Sequence, residues 1–156
     1  SEEQAILVGT KTVLDDNPKL NVRDWNGKNP IRVVIDRIGK IDSSFYVKDK
    51  KTKTIFITEQ ENISSDENCM YENVIFENRL AEKIGAILYK NNIQSVIIEG
   101  GTTTLETFIN ENLWDEARVF RSKIQLNEGV KSPVLKGNSE ATTIQNDELI
   151  IFKHHD

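Results

Sequence analysis

The chain has 156 residues and a formal net charge of −5, which suits one domain with a real hydrophobic core. That charge balance speaks against nucleic-acid binding, which calls for a clustered basic face; the densest basic stretch, Lys48 to Lys53, reads as a solvated hairpin loop. No apolar run approaches membrane-spanning length and no secretory-leader pattern opens the chain, so a cytoplasmic protein away from membranes is expected.

Cys69 stands alone, and the two histidines, His154 and His155, are neighbours whose side chains diverge. Neither a disulfide framework nor a metal site is expected.

Ser1 to Gln4 is polar, and Ala5-Ile6-Leu7-Val8-Gly9 is an abrupt apolar run of the kind a buried parallel strand shows. A core strand so close to the first residue implies further chain upstream. Gly9 to Asn17 is expected to form one or two helical turns, stopped before Pro18. Leu20 and Val22 flank Asn21, Arg23 follows, and residues 24 to 29 form a surface turn. Ile31 to Asp36 is the second strand, entered through Pro30. Arg37 to Ser44 is a turn around Gly39, Thr54 to Thr58 the third strand, Glu59 to Asn68 a polar loop and Asn73 to Phe76 a short fourth strand. Leu80, Ile84, Ile87 and Leu88 recur at helical spacing, so an amphipathic helix is expected from Arg79 to Asn91.

Ser95 to Glu99 is the fifth strand, and it runs straight into Gly100 and Gly101. Leu105, Phe108, Ile109 and Leu113 then follow a helical pattern. A strand, a glycine turn and a helix start within a few residues offer backbone N–H groups and partial positive charge to a phosphate. The same residues allow a plainer reading, in which Thr103 and Glu106 form a capping box that occupies those N–H groups. The local pattern leaves both open, and GGTTTL lacks the third glycine and spacing of the dinucleotide fingerprint. Glu116 to Arg121 is the sixth strand, Gly129 to Gly137 a loop, and Thr142 to Gln145 with Leu149 to Lys153 a hairpin around Asn146-Asp147. The sum is an α/β protein whose mostly parallel sheet is finished by antiparallel edge strands.

Four blocks in this order resemble the reductase domain of the bifunctional riboflavin-biosynthesis deaminase/reductase. AILVGTKTVLDDNPKLNVR (Ala5 to Arg23) has the family's form G-x-x-T-V-L-x-D-x-P-x-L-x-V-R with every fixed position present. PIRVVID (Pro30 to Asp36), VIIEGG-T-T-L (Val96 to Leu105) and LWDEARVF (Leu113 to Phe120) are similar to the segments that follow it.

The resemblance implies a dihydrofolate-reductase-like fold and NADPH as hydride donor. The reaction it implies is reduction of 5-amino-6-(5-phosphoribosylamino)uracil to the ribityl form. It implies cofactor contacts from Thr12, Asp16 and Arg37, and from Gly101, Thr102, Thr103, Thr104, Leu105, Glu106 and Thr107. Substrate contacts are implied for Leu20, Arg23 and Glu99, a catalytic role for Asp16, and a homodimer for the domain.

Residue chemistry suits several of these roles. Arg23 is a permanent cation with a fork of donors for a phosphate, Arg37 could serve a 2′-phosphate, and Glu99 ends a strand where α/β ligand sites lie. Asp16 could orient the nicotinamide end or relay a proton to the sugar oxygen. Taken without the resemblance, Asp15 and Asp16 also read as turn residues, Arg23 and Arg37 as surface charges and Glu99 as a cap.

The chain departs from the family in carrying Gly101-Thr102-Thr103 where Gly-Pro-Thr is usual, and in the stretch from Arg118 to Pro133, where Arg121 falls on a strand. Neither H-x-E nor P-C-x-x-C occurs, so the zinc deaminase chemistry of the bifunctional enzyme is excluded for this chain. A single reductase domain is expected, a fragment lacking its first strand and the upstream deaminase domain, with an exposed sheet edge. Two other readings share the features: a pterin- or dihydrofolate-type reductase of the same fold, and a non-catalytic nucleotide-binding module.

Overall fold

Three apolar runs build the centre of the protein. A computed structural model describes residues 3–24, 26–124 and 128–154; Ser1, Trp25, His155 and residues 125–127 of the Arg118–Pro133 stretch lie outside the described residues. Strands β1 (Ala5–Gly9), β2 (Ile31–Ile35) and β3 (Thr54–Thr58) lie side by side and parallel. Their residues are buried on both faces of the sheet, which is why they read as continuous apolar runs rather than as alternation. β4 (Cys69–Asn73) and β5 (Val96–Ile98) complete a five-stranded sheet in the order β4-β3-β2-β1-β5.

Helices cover both faces. One core cluster joins Leu7, Val33, Ile55 and Ile57 to Ala81, Ile84, Ile87 and Leu88 of α2 (Leu80–Lys90) and to Phe108 of α3 (Thr102–Asn110). The opposite cluster joins Val8, Val34 and Phe56 to Val13 of α1 (Thr10–Asp16) and to Ile41 and Val47 of the long β2–β3 connection. No described helix is long and apolar enough to cross a membrane.

The strand order fixes where a site can form. From β1 the chain steps outward through β2 and β3 to β4, and then returns through α2 to lay β5 on the other side of β1. The direction of winding therefore reverses between β1 and β5, and a crevice opens at their carboxyl ends, where ligands of open α/β sheets bind.

The remaining strands, β6 (Glu116–Arg121), β7 (Ser139–Ile144) and β8 (Asp147–Lys153), form a separate antiparallel sheet in the order β6-β8-β7. The hairpin is present, with its turn at Gln145 and Asn146 rather than at Asn146-Asp147. Arg121 does lie on a strand and pairs across to Glu148 at 3.1 Å.

Three further expectations are corrected. The fourth strand is Cys69–Asn73, not Asn73 to Phe76. Val74 N–H still bonds Thr58 O, but Ile75 is 59% exposed because the chain is already leaving the sheet. Lys48 to Lys53 is not a hairpin loop, because β2 and β3 are parallel and the segment belongs to a crossover. Thr103 is not an N-cap: α3 begins at Thr102, its N-cap is Gly101, and no side chain caps it.

Candidate functional site

The carboxyl ends of β1 and β5 lead into the same local pattern, Gly-Thr-x-Thr: Gly9-Thr10-Lys11-Thr12 and Gly101-Thr102-Thr103-Thr104. In both, the glycine is the N-cap of the following helix, has extended backbone and receives no side-chain cap. Neither first turn contains an acidic residue. Two uncapped helix starts thus converge on one crevice, an arrangement suited to an anion.

The two turns clasp each other. Thr12 Oγ1 accepts a hydrogen bond from Gly101 N–H at 3.3 Å. Reciprocally, Thr104 packs on Gly9 so closely that a Cβ there would stand 2.4 Å from Thr104 Oγ1. Gly9 is therefore glycine because the protein needs the space. Gly101 is different: its φ of −61° suits any residue and a Cβ would meet nothing within 4 Å. The fold does not demand glycine at position 101, whereas close approach of a ligand to the backbone would.

The other expected residues divide into those that surround this clasp and those engaged elsewhere. Thr103 and Glu106 are exposed on α3, and Leu105 is half-buried. The Thr102 hydroxyl donates to Lys131 O at 2.6 Å and the Thr107 hydroxyl to Thr103 O at 2.9 Å, so both are spent within the protein. Glu99 follows β5, its N–H bonded to Leu7 O at 2.9 Å and its carboxylate exposed. Asp16 is exposed at the far end of α1, about 9 Å along the helix axis from Thr10. Arg37 does not touch the clasp. Its Nε donates to Glu59 at 2.7 Å, and its guanidinium lies 5.7 Å from the centre of the Phe76 ring. Arg37 and the Phe76 N–H together hold the Glu59 carboxyl below the usual range.

Leu20 and Arg23 lie on the strap that leaves α1. Asn17 ends the helix in the left-handed conformation, φ 41°, and Leu20 is left-handed again at φ 48°. Leu20 packs half-buried on the second core cluster while Arg23 is exposed. No hydrogen bond or ion pair is made by the side chains of Asp16, Arg23 or Glu99 among the described residues, unlike Lys11, Arg37 and Lys50, which are ion-paired. Between Leu20 and Val22, Asn21 buries its Oδ1 with no donor among the described residues.

Two cavities of about 240 and 290 Å³ lie around Gln60, Ile63 and Tyr71, and no expected site residue lines either. The crevice at β1 and β5 is open-sided instead, since β5 pairs with β1 alone among the described strands.

Sequence reasoning missed Gly9, Thr10, Arg32 and Asn17. The repeated Gly-Thr-x-Thr after a strand is a signal that could have found the first two. Thr10 anchors the turn by donating to Ile35 O at 2.6 Å.

Comparison with known proteins adds the following. Residues 1–146 match the family model described as the RibD C-terminal domain. The chain is similar to a 2,5-diamino-6-ribosylamino-4(3H)-pyrimidinone 5′-phosphate reductase of Archaeoglobus fulgidus, at 27% identity over 98% of this chain and 72% of that protein. It is 32% identical to the riboflavin biosynthesis protein RibD of Chlamydia pneumoniae over 71% of this chain, spanning 33% of that longer protein. Among solved structures, a diaminohydroxyphosphoribosylaminopyrimidine deaminase/5-amino-6-(5-phosphoribosylamino)uracil reductase of Thermotoga maritima superposes with a TM-score of 0.75 at 27% identity, covering 97% of this chain and 45% of that one. A riboflavin biosynthesis reductase of Saccharomyces cerevisiae shares the fold at 20% identity and a TM-score of 0.76, over 97% and 75% of the two chains.

Proposed function

Because the chain belongs to the RibD C-terminal domain family, we propose that it binds NADPH across the two clasped glycine–threonine turns. There it reduces the ribosyl group of 5-amino-6-(5-phosphoribosylamino)uracil to the ribityl form. The observation that carries this reading is the open space at Gly101, an uncapped helix start facing the crevice where the winding of the sheet reverses. A diphosphate is the part of the cofactor that fits there, because it would accept from first-turn N–H groups of α3 that no side chain occupies.

The bound cofactor supplies a hydride; the rest is the work of this chain's residues. Reduction makes a C1′–H bond and breaks the C1′–O4′ bond of the sugar, so O4′ must gain a proton. Asp16, exposed and with no hydrogen bond from its side chain among the described residues, is the group assigned to pass that proton, directly or through one water. Arg23 holds the substrate phosphate with its fork of donors. Glu99 accepts hydrogen bonds from the ribose hydroxyls or the pyrimidine, and Leu20 supplies an apolar contact. Arg37 serves a 2′-phosphate only by exchanging its present partner, Glu59. In this reading the chain is a cytoplasmic reductase domain that works as a homodimer.

The test is a calorimetric titration with NADPH and NADH, followed by an assay of pyrimidine-dependent oxidation of the reduced cofactor. Saturable binding that favours NADPH, together with turnover, is the expected result. Binding without turnover would make the chain a nucleotide-binding module, and absence of binding would remove the cofactor assignment. Assaying the deaminated uracil beside its 2-amino counterpart separates the substrates named for the Thermotoga and Archaeoglobus proteins.

A further inference from the structure

A buried arginine is joined through one residue, Tyr46, to the strap that carries Leu20 and Arg23. Arg32, on β2, is 2% exposed. Its Nη1 donates at 2.8 Å both to Tyr46 O and to Asp49 Oδ1, while its Nε is buried with no acceptor among the described residues. A buried ion pair that leaves a donor orphaned is an expensive way to stabilise a sheet. What it does achieve is placement: both bonds land on the single 3₁₀ turn Tyr46–Lys48 and the residue that ends it.

The other side of that turn holds the strap. Tyr46 N–H donates to Asn17 Oδ1 at 2.9 Å, across 29 residues of sequence. Lys19 Nζ stands 4.8 Å above the Tyr46 ring. At the far end of the strap, Val22 N–H donates to Asn29 Oδ1 at 3.0 Å. Tyr46 is thus gripped twice, by its carbonyl from Arg32 and by its amide from Asn17, and the strap between Asp16 and Arg23 is fastened to it.

We propose that Arg32 and Asn17 are positioning residues, which act through the backbone of Tyr46 to set Leu20 and Arg23 at the height and angle substrate needs. This rests on the assignment of Leu20 and Arg23 as substrate contacts. The cofactor clasp is held by different bonds, so the clamp acts first on the substrate side of the crevice.

Asn17→Gly tests this without unfolding the protein. Glycine keeps the left-handed conformation at φ 41° and removes the acceptor together with the rest of the side chain. KM for the pyrimidine is expected to rise about fivefold, the equivalent of one hydrogen bond, with kcat and NADPH affinity within about twofold of the parent. Asn17→Asp, which keeps an acceptor in the same place, should restore KM. Equal rises in KM and in the NADPH dissociation constant, or no rise in KM, would overturn the proposal. Amide hydrogen exchange supplies a readout that needs no turnover. Exchange at Tyr46, whose N–H loses its acceptor, and at Val22 should quicken in Asn17→Gly while β1 to β3 stay protected, and unchanged exchange would also sink the clamp. If the parent protein exchanges as expected yet never turns over, the functional reading fails and the substrate role of the clamp fails with it.

Discussion

Two glycines of the site have opposite reasons for being glycine, and substitution separates them. At Gly9 the reason is internal, because a Cβ would stand 2.4 Å from Thr104 Oγ1. At Gly101 no protein atom competes for the space and the backbone needs no special conformation. Gly101→Ala should therefore change the melting temperature little, because the ~0.4–1 kcal/mol that Gly→Ala gains through the unfolded chain is set against the poorer N-cap that alanine makes at the start of α3. Its NADPH affinity should fall about tenfold or more, since the methyl group would occupy the space where the diphosphate meets the backbone. Gly9→Ala should lower both stability and affinity, because Thr104 must swing away and loosen the clasp. Thermal denaturation with parallel NADPH titration of the two variants checks this. Full affinity in Gly101→Ala would move the cofactor away from α3.

Among the elements, the short turn at Tyr46–Lys48 is held by a carboxylate just past its end, Asp49, so its stability responds to acid. Burial raises the Asp49 carboxyl's pKa, but the Arg32 hydrogen bond, the Lys51 N–H and the charges of Arg32 and Lys51 outweigh it and hold the group below its ordinary value. A carboxyl depressed in the folded state contributes stability that is present above about pH 4, its unfolded value, and is lost as pH falls through the folded value. Asp49→Asn should cost about 2–3 kcal/mol at neutral pH, somewhat under the toll of breaking a fully buried pair, since Asp49 retains some exposure. That cost should shrink as both proteins are taken below pH 4. Urea unfolding at pH 7 and pH 3 gives the comparison, and equal losses in parent and variant would dismiss the Arg32–Asp49 pair as the source. This same turn marks the limit of what the sequence makes legible. β1 and β3 are readable to the residue because burial on both faces leaves apolar runs, and α2 to within one residue at each end because its apolar stripe has helical spacing. β4 escapes because Cys69-Met70-Tyr71-Glu72-Asn73 is polar at its outer end, while the more apolar Val74-Ile75-Phe76 beside it lies outside the sheet. The clasp escapes too. Thr12 and Gly101 stand 89 residues apart, and only the adjacency of β1 and β5 joins them.

At the scale of the whole molecule, the two sheets should differ in how readily they open. The parallel sheet is sealed by two core clusters on opposite faces, whereas Ile150 is the one buried residue of the antiparallel sheet and every residue of β7 is exposed. The described hydrogen bond back to the parallel sheet's helices is that of the Thr102 hydroxyl to Lys131 O, whereas His154 N–H to Asp115 O at 2.9 Å and the Trp114 ring 5.0 Å from that of His154 only extend the pairing of β6 with β8. Regions with few buried apolar contacts open at lower free energy than core strands. Native-state hydrogen exchange should accordingly fall into two tiers, with β1, β2 and β3 slowest and β7 earliest, well below the global unfolding free energy. NADPH should slow exchange at Gly101 to Thr104, where its diphosphate is assigned. Through the Thr102 tether it should also steady the segment around Lys131, while leaving β4, on the opposite edge of the sheet, unchanged. Exchange of β7 together with β2 would mean that the sheets unfold as one cooperative unit. Protection gained at β4 but not at α3 would place the nucleotide at the cavities beside Gln60 and Tyr71 instead of at the clasp.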